Sequence, residues 1–400
     1  MSPGDLPVEA GDAWVRLANP PKGPRVYRKL IGETARKLRA GDRVAILDPQ
    51  GELLGWGLYH PKSEIAVRLL RRGPEPADDD WLRARAAAAV RARLKSPEIS
   101  GDVYRLLHAE GDDFPGLVVD RYGPVLSAEI YTAGAASLFD LALPVLQQEL
   151  GTAEWRLSFD ADSARAESEQ PLDLHSPGCP QRLRIEENGV RYEIHFDASH
   201  KTGFFCDQRE NRARLRAHCA GKRVLDVCCY TGGFALNAAF GGAAEVTGVD
   251  LDEDAIALAQ RNLNLNLERL PDRSAPVRFV HADAFSYLRT LLQNDARYDV
   301  IVLDPPKFIH NRREWEEGIA RYHDLNKLAL RLVAPGGLLL TCSCSGLLQP
   351  IEFQETVRRA SRGLGRSVRL LRTTGAGPDH PVRLDFPEGA YLKALWLRVD

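Results

Sequence analysis

Two thiols close an apolar run near the end of the chain, Leu338-Leu339-Leu340-Thr341-Cys342-Ser343-Cys344-Ser345. Upstream, a second apolar run ends in Asp304-Pro305-Pro306-Lys307-Phe308. If both runs are strands of an open α/β sheet, their carboxyl ends line one ligand crevice. A nucleophile then stands beside a slot the size of a base. A thiolate is needed where the atom to be alkylated is too weakly nucleophilic by itself, and carbon 5 of a pyrimidine is such an atom. Attack at carbon 6 makes carbon 5 enamine-like, and loss of the carbon 5 proton after methyl transfer expels the cysteine. The residue types therefore point to chemistry on a nucleobase, with Phe308 to stack on it and Pro305 and Pro306 to stiffen the loop. Asp304 either removes the proton or orients the base's amino group. Two competing readings of the thiols are a pair of small buried hydrophobes and a metal site. The latter is disfavoured because C-x-C has no second ligand pair at zinc spacing and Cys228-Cys229 are adjacent on a strand.

The group that donates the carbon needs its own place in such a crevice. Val224-Leu225-Asp226 leads into Val227-Cys228-Cys229-Tyr230-Thr231-Gly232-Gly233-Phe234. Cys228 and Tyr230 occupy positions where a dinucleotide fingerprint would carry glycine, which argues against NAD-type binding. Asp250 ends the next strand, where a carboxylate accepts hydrogen bonds from ribose hydroxyls. His281-Ala282-Asp283-Ala284-Phe285 ends the third, and Asp283 suits the exocyclic amine of adenine. Each acid alone reads equally as a helix cap. Jointly with Asp304 they make S-adenosylmethionine the leading cofactor, held by Asp226, Tyr230, Thr231, Gly232, Gly233, Asp250, Asp283, Ala284 and Asp304.

The elements that would position these residues show in the periodicity. Strand and helix patterns alternate through Arg223 to Val227, Ala235 to Ala239, Glu245 to Val249, Asp254 to Leu267, Val277 to Ala282, Asp299 to Leu303 and Leu338 to Cys342. Such alternation builds a parallel sheet with helices on both faces. Val368 to Thr373 and Tyr391 to Val399 suit an antiparallel edge. Asn188-Gly189 predicts a hairpin of Arg182 to Glu186 and Val190 to Phe196, joining the preceding domain to this one. Earlier, Asp42 to Asp48, Glu52 to Tyr59 and Ile65 to Leu70 read as strands of a small β-rich domain over 14–75. Asp78-Asp79-Asp80 caps a helix from Trp81 to Leu94. That helix opens a small α/β middle domain over 76–180, with strands at Tyr104 to Ala109, Leu117 to Asp120 and Val125 to Tyr131 and a helix over Leu138 to Leu150. The remainder, 181–400, is the α/β domain.

With 44% hydrophobic and 27% charged side chains in 400 residues, the chain reads as soluble and globular. No apolar run suits a bilayer, so no membrane partner is expected and the predicted location is cytoplasmic. Seven cysteines, an odd number without a C-x-x-C pair, exclude a disulfide framework and suit a reducing compartment. The net charge of −2 argues against a general nucleic-acid coat, yet residues 14–73 hold thirteen Lys or Arg against five Asp or Glu. A local basic surface is enough for phosphate contact.

Four words of the sequence carry a resemblance: Phe114-Pro115-Gly116-Leu117-Val118-Val119-Asp120-Arg121-Tyr122, Lys201-Thr202-Gly203-Phe204-Phe205-Cys206-Asp207-Gln208-Arg209, Asp304-Pro305-Pro306-Lys307-Phe308 and Thr341-Cys342-Ser343-Cys344-Ser345. From Arg25 onward the chain resembles the RlmI-like family of class I rRNA large-subunit methyltransferases. The resemblance implies an N-terminal β-rich PUA-like domain, a small α/β middle domain and a Rossmann-like class I methyltransferase domain. It also implies methylation of carbon 5 of a cytosine in 23S rRNA or a large-subunit assembly intermediate. By the same resemblance Lys201, Thr202, Phe204, Asp207 and Arg209 lie against the cofactor and the PUA-like domain contacts RNA. A homodimer is compatible with it. Asp12 to Val26 shows no match to the usual opening of the PUA-like domain. Thr341-Cys342-Ser343 aligns with the T-C-S of related carbon 5 methyltransferases, which favours Cys342 over Cys344 as nucleophile. Side chains alternate along a strand, so both thiols are expected on one side. Two rivals stay open: a methyltransferase for a base nitrogen of RNA, which needs no thiol, and a non-catalytic rRNA-binding assembly factor.

Overall fold

The computed structural model describes residues 13–35, 37–196 and 202–400. The chain divides into two compact units. One contains the chain through Gln181, the segment ending at Cys206 and Pro378–Gly389; the other contains the hairpin from Arg182, Asp207–Gly377 and Ala390–Asp400.

In the first unit β1 (Trp14–Leu17), β2 (Arg25–Tyr27), β3 (Ile31–Thr34), β4 (Arg43–Leu47), β5 (Leu53–Tyr59) and β6 (Ile65–Arg72) form a six-stranded sheet in the order β2-β6-β5-β4-β1-β3. β1 and the start of β2 fall in the stretch that shows no match to the usual opening of the PUA-like domain. Val15 and Leu17 alternate inward there to join Val26, Val44, Ile46 and Val67, but four residues are too few for alternation to stand out. α1 (Asp79–Lys95) starts at Asp78, whose side chain accepts from the Trp81 amide. A five-stranded sheet follows in the order β11-β10-β9-β8-β7, built from β7 (Val103–His108), β8 (Leu117–Tyr122), β9 (Val125–Ile130), β10 (Glu154–Phe159) and β11 (Asp173–His175). It carries α2 (Ala135–Leu150) and α3 (Ala161–Glu167). The two predicted N-terminal domains share one core: Leu58 and Leu70 of the first sheet cluster with Leu82, Tyr104, Leu126 and Phe139.

The second unit opens with the predicted hairpin, β12 (Arg182–Glu187) and β13 (Val190–His195), turning at Asn188 and Gly189 with φ of 49° and 81°. Both values are positive, as a two-residue hairpin turn requires. Rather than joining two domains, the hairpin belongs to this unit: Asn262 and Asn266 accept from the backbone of Glu193 and Arg191. The remaining elements are α4 (Arg209–Leu215), β14 (Arg223–Val227), α5 (Gly233–Phe240), β15 (Glu245–Asp250), α6 (Glu253–Asn266), β16 (Val277–His281), α7 (Ala284–Gln293), β17 (Tyr298–Leu303), α8 (Trp315–Leu332), β18 (Val333–Ser343), α9 (Pro350–Ala360), β19 (Val368–Thr374) and β20 (Lys393–Val399). Their sheet runs β16-β15-β14-β17-β18-β20-β19, with β14 to β18 parallel and β20 antiparallel to both its neighbours. The chain reverses its direction of winding between β14 and β17, which is where an open α/β sheet leaves its crevice. Leu225, Ile301, Leu303, Leu339, Tyr322 and Phe353 pack beneath it. None of the described helices is long and apolar enough to cross a membrane.

Candidate active site

The loop after β14 takes a shape that ordinary side chains resist. Cys228 and Tyr230 have φ of 61° and 47°, and Gly232 has φ of 84°. The two residues that replace glycines of the dinucleotide pattern thus keep the glycine backbone. Such conformations cost on the order of 1–3 kcal/mol each and persist only where the surroundings enforce them. Here the Tyr230 amide donates to Asp250 Oδ2 at 2.7 Å, the Cys229 amide to the Val249 carbonyl at 3.0 Å, and Asn262 Nδ2 to the Thr231 carbonyl at 3.0 Å. At Gly232 a Cβ would come within 3.0 Å of the Phe279 ring. Gly233 then begins α5, and Asp226 Oδ2 accepts from the Ala235 amide at 2.8 Å.

Four predicted acids meet around this loop. Burial pushes the Cys228 thiol well up, and the charges of Asp250, Asp304, Asp226 and Asp283 push it further. Asp226 is itself wholly buried, and that burial, with Asp304 and Asp250 adding to it against the Ala235 hydrogen bond, holds its carboxyl up to about 8. Its Oδ1 has no hydrogen-bond partner among the described residues. Asp250 uses its other oxygen, Oδ1, to accept from the Asp252 amide at 3.0 Å. Asp283 caps α7 through the Ser286 amide at 2.9 Å and is exposed just past the carboxyl end of β16. Ala284 follows as the first residue of α7. An unpartnered buried carboxyl oxygen within a ring of acids fits a ligand that brings positive charge, and S-adenosylmethionine brings an ammonium and a sulfonium.

The second predicted cluster lies across β17 and β18. Asp304 accepts from Gln208 Nε2 at 2.9 Å, and Gln208 in turn accepts from Asn211 Nδ2 at 2.7 Å. Asp207 is buried, with Tyr391 donating to its Oδ2 at 2.7 Å and Oδ1 without a partner among the described residues. Arg209 is buried and donates to Glu210 at 2.9 Å. Thr202 and Phe204 belong to the first unit, where the Thr202 hydroxyl donates to Asp120 at 2.5 Å and Tyr122 donates to the Phe204 carbonyl at 2.8 Å. Lys201 lies outside the described residues.

The two thiols turn out to be unlike. Cys342 is still within the strand, paired in register with Ala394, and has no exposed surface. Burial, seconded by Asp304, pushes its thiol well above the usual range. Cys344 follows the last strand residue and is partly exposed, its Sγ 4.0 Å from the Pro305 carbonyl. The serines on either side are wholly buried. Ser343 Oγ donates to the Tyr322 hydroxyl at 3.0 Å, the Ser345 amide donates back to Ser343 Oγ at 3.3 Å, and the Ile309 amide donates to Ser345 Oγ at 3.2 Å. Lys393 Nζ donates to the Ser345 carbonyl at 2.6 Å. Cys344 therefore projects from a clamped turn. The sequence match favours Cys342, whereas of the two thiols it is Cys344 that has exposed surface. Phe308, expected to stack on a base, is 8% exposed, with its ring 4.8 Å from the Tyr322 ring and covered by the Arg321 guanidinium at 4.3 Å. Pro305 is buried, and the exposed residues of the loop are Pro306 and Lys307. Gln208, Tyr322, Ser345 and Lys393 went unrecognised in the sequence. Gln208 and Ser345 stand inside the quoted words, whereas a lone tyrosine in a helix and a lysine in a strand give no signal.

Comparisons with known proteins identify the family. A family model described as S-adenosylmethionine-dependent methyltransferase matches residues 166–398, and one described as PUA-like domain matches residues 22–72. The ribosomal RNA large subunit methyltransferase I of Shewanella denitrificans is 38% identical over 370 residues, covering 91% of each chain. The ribosomal RNA large subunit methyltransferase of Deinococcus radiodurans is 38% identical over 396 residues, 94% of this chain and 93% of its own. The large subunit methyltransferase I of Escherichia coli O9:H4 is 34% identical, covering 94% and 95%. Among solved structures, a proposed SAM-dependent methyltransferase from Streptococcus mutans superposes with a TM-score of 0.77 at 22% identity over 91% of this chain and 93% of that one. A second, of a proposed methyltransferase complexed with SAH, gives 0.77 at 23% identity over 91% and 92%. At such identities the two structures bear on the fold.

Proposed function

The chain belongs to the family of S-adenosylmethionine-dependent methyltransferases that carry a PUA-like domain, and from that premise we propose that it methylates carbon 5 of a cytosine in 23S rRNA through a transient adduct on Cys344. The carrying observation is the partly exposed Cys344, set in a turn clamped by two buried serines against the Asp304-Pro305 loop. A nitrogen methyltransferase has no use for such a thiol.

When bound, S-adenosylmethionine supplies an electrophilic methyl group. Asp250 would accept from its ribose hydroxyls and Asp283 from its adenine amine, with Asp226 and the Tyr230 to Gly233 loop shaping the floor. A free cysteine has a pKa of about 8.5, so a few per cent is thiolate at neutral pH. The Cys344 thiolate adds to carbon 6 and leaves carbon 5 able to accept a methyl group. Loss of the carbon 5 proton then restores the double bond and returns the electron pair to sulfur. Asp304 reaches the same slot and has a carboxylate to take that proton or to hold the cytosine amine. A target in folded RNA must first be unstacked, at a cost of a few kcal/mol. Lys22, Lys29, Lys37, Arg39 and Lys62 are exposed and form no ion pair among the described residues, whereas Arg16, Arg25, Arg43, Arg68, Arg71 and Arg72 are engaged by acids. The former set is the surface for RNA phosphates.

RNA carrying 5-fluorocytidine at the target tests this directly. Fluorine cannot leave as a proton does, so wild-type enzyme with S-adenosylmethionine should give an adduct that migrates slowly on a denaturing gel. Cys344→Ser should lose both adduct and turnover, while Cys342→Ser should keep the adduct. Bisulfite sequencing of 23S rRNA from cells with and without the gene locates the cytosine. Wild-type turnover by Cys344→Ser would overturn the thiol mechanism and leave methylation of a base nitrogen as the reading.

A further inference from the structure

Lys393 is an unusual residue for a strand that runs inside a sheet. It is the first residue of β20, paired opposite Ser343, and only 3% exposed. Its Nζ makes one hydrogen bond among the described residues, to the Ser345 carbonyl at 2.6 Å, and no carboxylate forms an ion pair with it there. A buried ammonium normally has a matched anion, because desolvating a lone charge is expensive. The residues around it offer few. Cys344 on the turn after β18 is the group of opposite charge that acts on it most strongly, ahead of Glu352 on α9, while Lys307 on the β17 loop opposes it. Tyr322 on α8 and Cys342 on β18 are the other titratable groups that the charge of Cys344 acts on.

We infer that Lys393 is the counter-charge of the Cys344 thiolate, a positioning residue that reaches beneath the Ser343-Cys344-Ser345 turn and favours ionisation of the sulfur it supports. The inference rests on Cys344 being the nucleophile. Cys344 releases its S–H proton to solvent and the sulfur keeps the electron pair; the Lys393 ammonium, unchanged in protonation, balances the new charge. The same contact fixes the turn through the Ser345 carbonyl, so charge and geometry come from one side chain. Burial lowers the Lys393 ammonium to about 8, so the counter-charge is present below that value and is lost above it. Once sulfur bonds to carbon the counter-charge is no longer needed. That leaves Lys393 as a buried cation without an anion and favours expulsion of the cysteine at the end of the cycle.

The test reads the thiol directly and needs no RNA. Full-length protein is alkylated with iodoacetamide across pH 5.5–10, and modification of the Cys344 peptide is followed by mass spectrometry, with Cys344→Ser identifying the signal. Lys393→Met and Lys393→Gln should move the midpoint of the rate upward by about one pH unit or more relative to wild type, and Lys393→Arg should restore most of it. If one neutral variant fails to fold, judged by circular dichroism and S-adenosylmethionine binding, the other carries the comparison. An unshifted midpoint in a folded neutral variant overturns the inference. This outcome is distinct from failure of the carbon 5 reading, which is decided by the fluorocytidine adduct and can fail while the thiol still titrates as described.

Discussion

Asp226→Asn converts the most deeply buried acid of the crevice into a measurement of what the site costs the fold. The wild-type carboxyl has no exposed surface and keeps its proton up to about 8, whereas an aspartate in an unfolded chain loses it near 3.9. Between those values the folded state binds more protons than the unfolded one, so stability falls as pH rises from about 4 to about 8 and levels off above. At about 1.4 kcal/mol for each pH unit in that interval, the penalty at pH 7 reaches roughly 4 kcal/mol as an upper limit. Asparagine keeps an oxygen for the Ala235 amide, which sits 2.8 Å from Oδ2, and has no charge to desolvate. The variant should therefore match wild type near pH 4.5 and exceed it by about 2–4 kcal/mol at pH 7–8. Urea unfolding of both proteins at several pH values gives this difference, and an unchanged m-value shows that the same surface unfolds. S-adenosylmethionine binding should weaken in the same variant, because asparagine cannot release a proton and so cannot put a negative charge beside a cationic ligand, as the aspartate can. A variant less stable than wild type by the same amount at every pH would show that the Asp226 carboxyl holds its proton no more tightly in the fold than in the unfolded chain, and would refute the burial penalty.

Two further outcomes separate cofactor from RNA. Asp250→Ala should weaken S-adenosylmethionine binding by about 10- to 150-fold, the worth of a charge-assisted contact of about 1.5–3 kcal/mol. Asp250→Asn, which keeps an acceptor for the Tyr230 amide, separates loss of ribose contact from loss of the loop. Calorimetry reads both, and unchanged affinity in the alanine variant would sink the assignment. The combined change Lys22→Ala, Lys29→Ala and Lys62→Ala should flatten the salt dependence of RNA binding by roughly 0.7 per lost phosphate contact on single-stranded RNA and leave cofactor affinity alone. An equal slope in filter binding would move the RNA surface elsewhere. Point changes suit this question better than truncation, because Leu58 and Leu70 belong to a core shared with Leu82 and Tyr104.

The parallel sheet was legible because its strands are apolar runs separated by helical periods, and because Asp226, Asp250, Asp283 and Asp304 fall at or just past strand ends. The loop glycines were legible for a related reason: Gly232 is the only residue type that fits a positive φ beside the Phe279 ring. What escaped is what depends on contacts distant in sequence. The shared N-terminal core arises when Leu58 and Leu70 meet Leu82 and Tyr104 across two sheets, and no local pattern encodes that meeting. Phe308 beside a proline loop looks like an open stacking ring until Tyr322, fourteen positions on, is placed against it. The basic excess of residues 14–73 was counted correctly but overstated as a surface, since six of its arginines face acids.

The distinction between Cys342 and Cys344 shows how exposure changes at the end of a strand. Period-two reasoning puts both sulfurs on one side, and it holds only while the backbone remains paired. Pairing of β18 with β20 ends at Ser343 opposite Lys393. Beyond that point the Ser345 amide turns back to Ser343 Oγ, and the backbone at Cys344 answers to the turn instead of the sheet. Cys342 stays in the core with the strand, while Cys344 gains exposure without losing support, because its neighbours are anchored to Tyr322, Ile309 and Lys393. Asp304 has the same relation to β17, standing one residue beyond Leu303, which is paired with Thr341. A strand's last paired residue fixes position and the next one gains freedom to meet a ligand, and Cys344 and Asp304 both stand at that step.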